Sequence, residues 1–136
     1  MVGNPFNLHK GIGLTAKQFH YGFANALEED AALEAWRTFH VPAPARALFQ
    51  AALANFTPGA VTKVDYRKPD RAPLLFVAGG SDRTVPASVV RENYRRYKTG
   101  TVEITEYPGR SHFTVGEPGW EAVLDNTIGW VENKTA

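Results

Sequence analysis

The sequence predicts an α/β fold: a parallel β-α-β unit closed by a last helix and preceded by a group of short helices. Three observations carry it. Leu74 to Ala78 is an uninterrupted apolar run of strand length, stopped by Gly79-Gly80, which is the pattern of a strand buried on both faces of a parallel sheet. Val102 to Tyr107 alternates, with Val102 and Ile104 on one face and Glu103 and Thr105 on the other, as a half-exposed strand does. Between them, Pro86 to Lys98 is a connection of helix length, so the two strands should be parallel with a right-handed crossover. The loops after both strands then leave from one end of the sheet, where ligands bind in open α/β folds, and Asp82 and His112 are expected to share a site there.

The remaining elements follow in order. Gly3, Pro5, Gly11 and Gly13 make residues 1–14 an irregular entry segment. Thr15 with Gln18 forms a capping box, and Phe19, Phe23, Ala26 and Leu27 recur at helical spacing behind it. A second helix is expected from about Asp30 to Phe39, carrying Leu33 and Trp36 and ended by Pro42 and Pro44. In a third, Ala45, Leu48, Phe49, Ala52, Leu53 and Phe56 form a wide apolar stripe closed by Pro58-Gly59. Val64 to Tyr66 is too short to assign, and Arg67 to Pro73 is a polar loop. On the crossover helix, Arg91, Arg95, Arg96 and Lys98 alternate with Val90, Tyr94 and Tyr97, a solvated face opposite a buried one rather than a phosphate-binding patch. Trp120, Val123, Leu124, Ile128 and Val131 should lay the last helix on the sheet. The division expected is a helical region over 1–60 and a β-α-β-α unit over 61–136.

Composition narrows the function. The 136 residues, 43% hydrophobic and 21% charged, suit one globular domain, and a net charge of +1 gives nucleic acid no electrostatic footprint. Without cysteine there is no disulfide framework and no thiolate nucleophile, and His9, His20, His40 and His112 lack metal-ligand spacing. No metal and no cofactor are expected. No signal-peptide pattern opens the chain and no apolar run approaches the roughly 20 residues a membrane span needs, so a soluble, cytoplasmic protein with no membrane partner is expected.

Strand-Gly-Gly-Ser-Asp-x-Thr-Val-Pro, followed by helix, strand, Tyr-Pro-Gly-x-Ser-His and a last helix, resembles the C-terminal part of α/β-hydrolase-fold enzymes, especially serine esterases and related peroxidase-like hydrolases, over roughly Arg71 to Asn133. The resemblance implies that Asp82 is the acid and His112 the base of a Ser-Asp-His triad for ester-type acyl transfer, and that the short aromatic helices form a cap above the site. Taken singly, Asp82 also reads as an Asx-turn or helix cap, His112 as a turn residue, and Phe19, Phe23, Trp36, Phe49 and Phe56 as plain core. The nucleophile elbow G-x-S-x-G is absent, since Gly79-Gly80-Ser81-Asp82-Arg83 and Gly109-Arg110-Ser111-His112-Phe113 both lack the closing glycine. Ser81 and Ser111 each adjoin a member of the pair, and an extended loop points neighbouring side chains apart, so neither is expected to be the nucleophile. The chain is therefore expected to be inactive alone, as a hydrolase piece that needs its missing N-terminal half, as a truncated product with no independent role, or as a non-catalytic pseudo-hydrolase serving oligomerisation or interaction. If complemented, it would take a small ester-like substrate. Since Leu74 to Ala78 wants two neighbouring strands and one is evident, a two-fold homodimer is expected, through that edge or by exchange of N-terminal helices.

Overall fold

The computed structural model describes residues 11–57, 59 and 63–135. The expected entry segment up to residue 10, and Pro58 in the expected stop of the third helix, lie outside them.

Helix α1 (Ala16–Gly22) starts where the capping box places it: the Thr15 hydroxyl accepts the Gln18 N–H at 3.2 Å while the Gln18 side chain accepts the Thr15 N–H at 3.0 Å. Helix α2 (Glu29–Phe39) begins a residue earlier than its apolar spacing suggests, with Glu29 and Asp30 in the first turn where the helix dipole favours negative charge. The prolines after it do more than end a helix. Ala43–Pro44 (β2) pairs antiparallel with Gly11–Ile12 (β1), a ladder of two residues a side that carries no periodicity to read. Helix α3 (Ala45–Leu53) tightens into a 3-10 turn over Ala54–Phe56. Its expected apolar stripe is covered in part: Ala45 is buried and Phe49 half-buried, while Leu53 is exposed and Phe56 is 83% exposed.

The helical core lies between α1 and α2. Phe19, Ala24, Ala32 and Ala35 are buried, with Leu14, Phe23, Leu27, Trp36 and Phe113 packed around them. Alanine at positions 32 and 35 lets α2 approach α1 closely, and the space above them is filled by rings, Phe19 stacking on Phe23 at 5.0 Å. Leu14 is held at both backbone groups, its N–H donating to His40 Nε2 and its carbonyl accepting from Trp36 Nε1, each at 2.9 Å. Phe113, which follows the candidate histidine, packs its ring against Phe19, Phe23 and Phe39 and so ties the loop after β4 to this core.

Strands β3 (Leu74–Gly79) and β4 (Val102–Tyr107) run parallel in the register Leu74 to Val102 through Gly79 to Tyr107, joined by helix α4 (Ala87–Arg96). Phe76 meets the rings of Tyr94 and Tyr97 at 6.4 and 5.5 Å, which fixes α4 on one face. The arginines of α4 lie outward, with Arg91 paired to Glu106 and Arg95 and Arg96 to Glu92. Burial of β3 on both faces, however, is not what the fold gives. Leu74, Leu75 and Phe76 are half-buried and Val77 is 37% exposed, because among the described residues β4 is the only strand beside β3 and its other edge is open. Helix α5 (Glu121–Thr135) is anchored by the buried Val123 and by a 2.9 Å ion pair between Lys134 and Glu103, while Trp120, Leu124 and Ile128 stay exposed. The stripe expected to lie on the sheet is thus covered only in part. Among the described residues no helix is long and apolar enough to cross a membrane.

Candidate active site

The site is built where the parallel ladder runs past the ends of its strands. Gly80 N–H donates to the Tyr107 carbonyl and Ser81 N–H to the Arg110 carbonyl, each at 2.9 Å, so the two loops remain hydrogen-bonded beyond β3 and β4. Only glycine permits that approach. A Cβ on Gly79 would stand 2.5 Å from the Ser111 carbonyl oxygen and 2.6 Å from that of Arg110, and one on Gly80 would stand 3.0 Å from Pro108 Cα. The Gly79-Gly80 pair that stops the apolar run is therefore also what brings residue 82 beside residue 112.

Asp82 uses its two carboxylate oxygens differently. Oδ1 accepts the backbone N–H groups of Thr84 and Val85 at 2.7 and 2.8 Å, which is the Asx-turn left open by the sequence. Oδ2 lies 2.7 Å from His112 Nδ1. The turn fixes the carboxylate that the histidine meets. Burial opposes ionisation of Asp82, but the hydrogen bond from His112, the two backbone N–H groups and the neighbouring imidazole charge outweigh it and hold the carboxyl below the usual aspartate range. An ionised Oδ2 can only accept, so Nδ1 carries the ring proton and Nε2 is the nitrogen left for other chemistry. The ring edge rests on Phe23, with centroids 4.6 Å apart.

Neither nearby serine bonds His112. Ser111 is fully buried and its hydroxyl is occupied, lying 3.0 Å from the Phe23 carbonyl and bonded to the Glu117 carboxylate. Ser81 is exposed, and its carbonyl accepts from Asn25 Nδ2 at 3.0 Å.

Several contributors carried no signal in the sequence. The turn after α1 reaches both loops: the Gly22 carbonyl accepts from the Thr84 hydroxyl at 2.6 Å, the Phe23 carbonyl accepts Phe113 N–H at 2.9 Å, and Asn25 holds Ser81. These bonds use backbone carbonyls, which any residue supplies. Arg110 and Glu117 read as loop charges, yet Glu117 is 5% exposed, with its carboxylate on Ser111 and 3.8 Å from Arg110.

Two clefts meet at His112. One, of about 640 Å³, lies along β3 and α4 and is lined by Val77, Asp82, Val89 and Asn93 among others. The second, of about 720 Å³, lies under the helices and is lined by Leu14, Phe19, Phe23, Phe39 and Phe113 among others. Among the described residues no group of three or more His, Asp or Glu is arranged to hold a metal ion.

A parallel β3-α4-β4 unit followed by a final helix is the architecture of an α/β-hydrolase segment. Comparison with known proteins reaches the same class. No protein-family model matches the chain. Over 60 residues, 44% of the chain, it is 37% identical to the monoacylglycerol lipase of Mycolicibacterium smegmatis, and the match spans about a fifth (21%) of that lipase. The chain is thus related, distantly and over part of its length, to the lipase-like α/β hydrolases.

Proposed function

We propose that Asp82 and His112 are the acid and base of a serine-hydrolase triad acting on an ester with an apolar acyl part, the serine coming from polypeptide outside these residues. The observation that supports it is the 2.7 Å bond from His112 Nδ1 to an ionised Asp82. In that arrangement Nε2 takes the proton of the attacking serine hydroxyl as its oxygen adds to the ester carbonyl, then returns it to the departing alcohol. Asp82 keeps the imidazole in the tautomer this needs and stabilises the imidazolium formed. The 720 Å³ cleft beside His112, walled by phenylalanines, suits an acyl chain, and the related lipase is by its name a hydrolase of monoacylglycerols. Without the serine and the elbow N–H groups the chain alone should be nearly inert on nitrophenyl acetate, since each oxyanion donor contributes roughly two to three orders of magnitude in rate.

The test is a graft. The segment of this chain that matches the mycobacterial lipase, extended where needed to include Asp82 and His112, replaces its counterpart there. Hydrolysis should survive in the chimera and fall by about 100- to 10 000-fold on His112→Ala. A folded chimera whose activity ignores that substitution removes the reading.

A second reading, a non-catalytic module that associates through its sheet, is favoured by one observation, the open and partly apolar edge of β3 at Val77.

A further inference from the structure

We infer that Glu117 is a positioning residue for His112, acting through Ser111 and Arg110 without touching the reacting atoms; the inference rests on the acid-base reading of Asp82 and His112. Glu117 stands in a Gly-Glu-Pro stretch where a carboxylate would ordinarily be solvated, yet it is 5% exposed. Its partners explain the burial. Oε1 accepts the Ser111 backbone N–H at 2.9 Å and also bonds the Ser111 hydroxyl, and Oε2 lies 3.8 Å from Arg110 Nη1. The guanidinium in turn donates to the carbonyls of Thr114 (3.0 Å), Pro118 (3.2 Å) and Gly119.

A buried carboxylate needs such donors, and here they belong to the two residues immediately before His112. The residue after it is fixed as well, because Phe113 N–H reaches the Phe23 carbonyl at 2.9 Å and the Ser111 hydroxyl oxygen at 3.2 Å. Among the described residues the His112 side chain hydrogen-bonds Asp82 alone, so beyond the Phe23 ring the direction of the imidazole depends on a backbone clamped on both sides. The clamp closes on one carboxylate oxygen. Without it, the fully buried Ser111 N–H loses its acceptor and the loop must turn to find another, which moves the imidazole off Oδ2.

The readout is the low-field proton resonance of His112 Nδ1–H in the chain as it stands, which needs no nucleophile and no substrate. Asp82→Ala, which removes the acceptor, identifies the signal. Glu117→Gln keeps an acceptor oxygen for Ser111 and should retain the resonance. Glu117→Leu should lose it, or exchange that proton with water at least about tenfold faster, the loss of roughly one ordinary hydrogen bond. If Glu117→Leu does not fold, Ser111→Ala, which removes only the hydroxyl from the clamp, should still speed the exchange. A folded Glu117→Leu, or failing that a Ser111→Ala, with the wild-type resonance and exchange rate overturns the inference. An inactive graft chimera would instead count against the acid-base reading and leave this result standing.

Discussion

Gly79→Ala is the perturbation that most directly tests how the site is assembled. The added methyl would lie 2.5 and 2.6 Å from two backbone carbonyl oxygens, those of Ser111 and Arg110. Carbon and oxygen without a bond between them settle near 3.4 Å, so the histidine loop must retreat by about 0.8–0.9 Å. Both carbonyls are engaged, Arg110 by the Ser81 N–H at 2.9 Å and Ser111 by the Thr114 hydroxyl at 2.6 Å, and cannot swing aside freely. A retreat of that size along the Asp82–His112 line takes a 2.7 Å bond to about 3.5 Å, beyond useful hydrogen-bond length. Overpacking of this kind costs about 1–3 kcal/mol, or roughly 3–10 °C in melting temperature for a domain of this size. Calorimetry and the His112 Nδ1 proton resonance measure the two effects separately. A variant that melts within a degree or two of the parent and keeps the resonance would mean the loops do not meet as described.

Other outcomes follow from the same geometry. Asp82 has a depressed carboxyl pKa, so its contribution to stability is complete above its ordinary value near pH 4 and is lost as pH falls through the lower folded value; Asp82→Asn should flatten that acid limb in pH-dependent melting, and an unchanged limb would contradict the assignment. Thr15→Ala removes the α1 cap and should cost about 1 kcal/mol by denaturant titration, with no change at the His112 resonance. Asn25→Ala deletes the bond to the Ser81 carbonyl and should raise hydrogen exchange of the 81–85 loop, whereas unaltered protection there would show that the α1–α2 turn does not restrain it.

The sheet was legible because an apolar run and an alternating run differ in period, and because a helix-length connection between them leaves one topology. The pairing of Asp82 with His112 followed from strand ends: two loops leaving one end of a two-stranded parallel unit have little room to diverge. Burial was the weaker inference. Leu74 to Ala78 states what β3 would accept on its faces, not what it has, and the exposure of Val77 measures that difference. The Glu117 clamp and the turn at residues 22–25 were invisible for another reason. A charged residue in a Gly-Pro loop looks solvated until its donors are known, and a backbone carbonyl has no sequence signature at all. The β1–β2 pairing, two residues long, falls below the length at which alternation means anything.

The open edge of β3 leads to a prediction about association. Leu74 N–H donates to Thr101 and Gly80 N–H to Tyr107, so the even-numbered amides of this strand face β4. Alternation then points the N–H groups of Leu75, Val77 and Gly79 away from β4, where no strand among the described residues receives them. Water can satisfy these groups, but Val77 sits among them 37% exposed, and a partly apolar edge with free donors and acceptors is a template for another strand. A second copy related by two-fold symmetry would pair β3 with its mate antiparallel and complete both edges in one contact. Sedimentation at micromolar concentration should therefore find a dimer. Val77→Lys places a charge on the edge while leaving every β3–β4 bond intact, and should yield a folded monomer. A parent chain that sediments as a monomer would refute the pairing, whereas a lysine variant that dimerises as well as the parent would exclude β3 as the contact and make the exposed Trp120, with Leu124 and Ile128 of α5, the surface to mutate next.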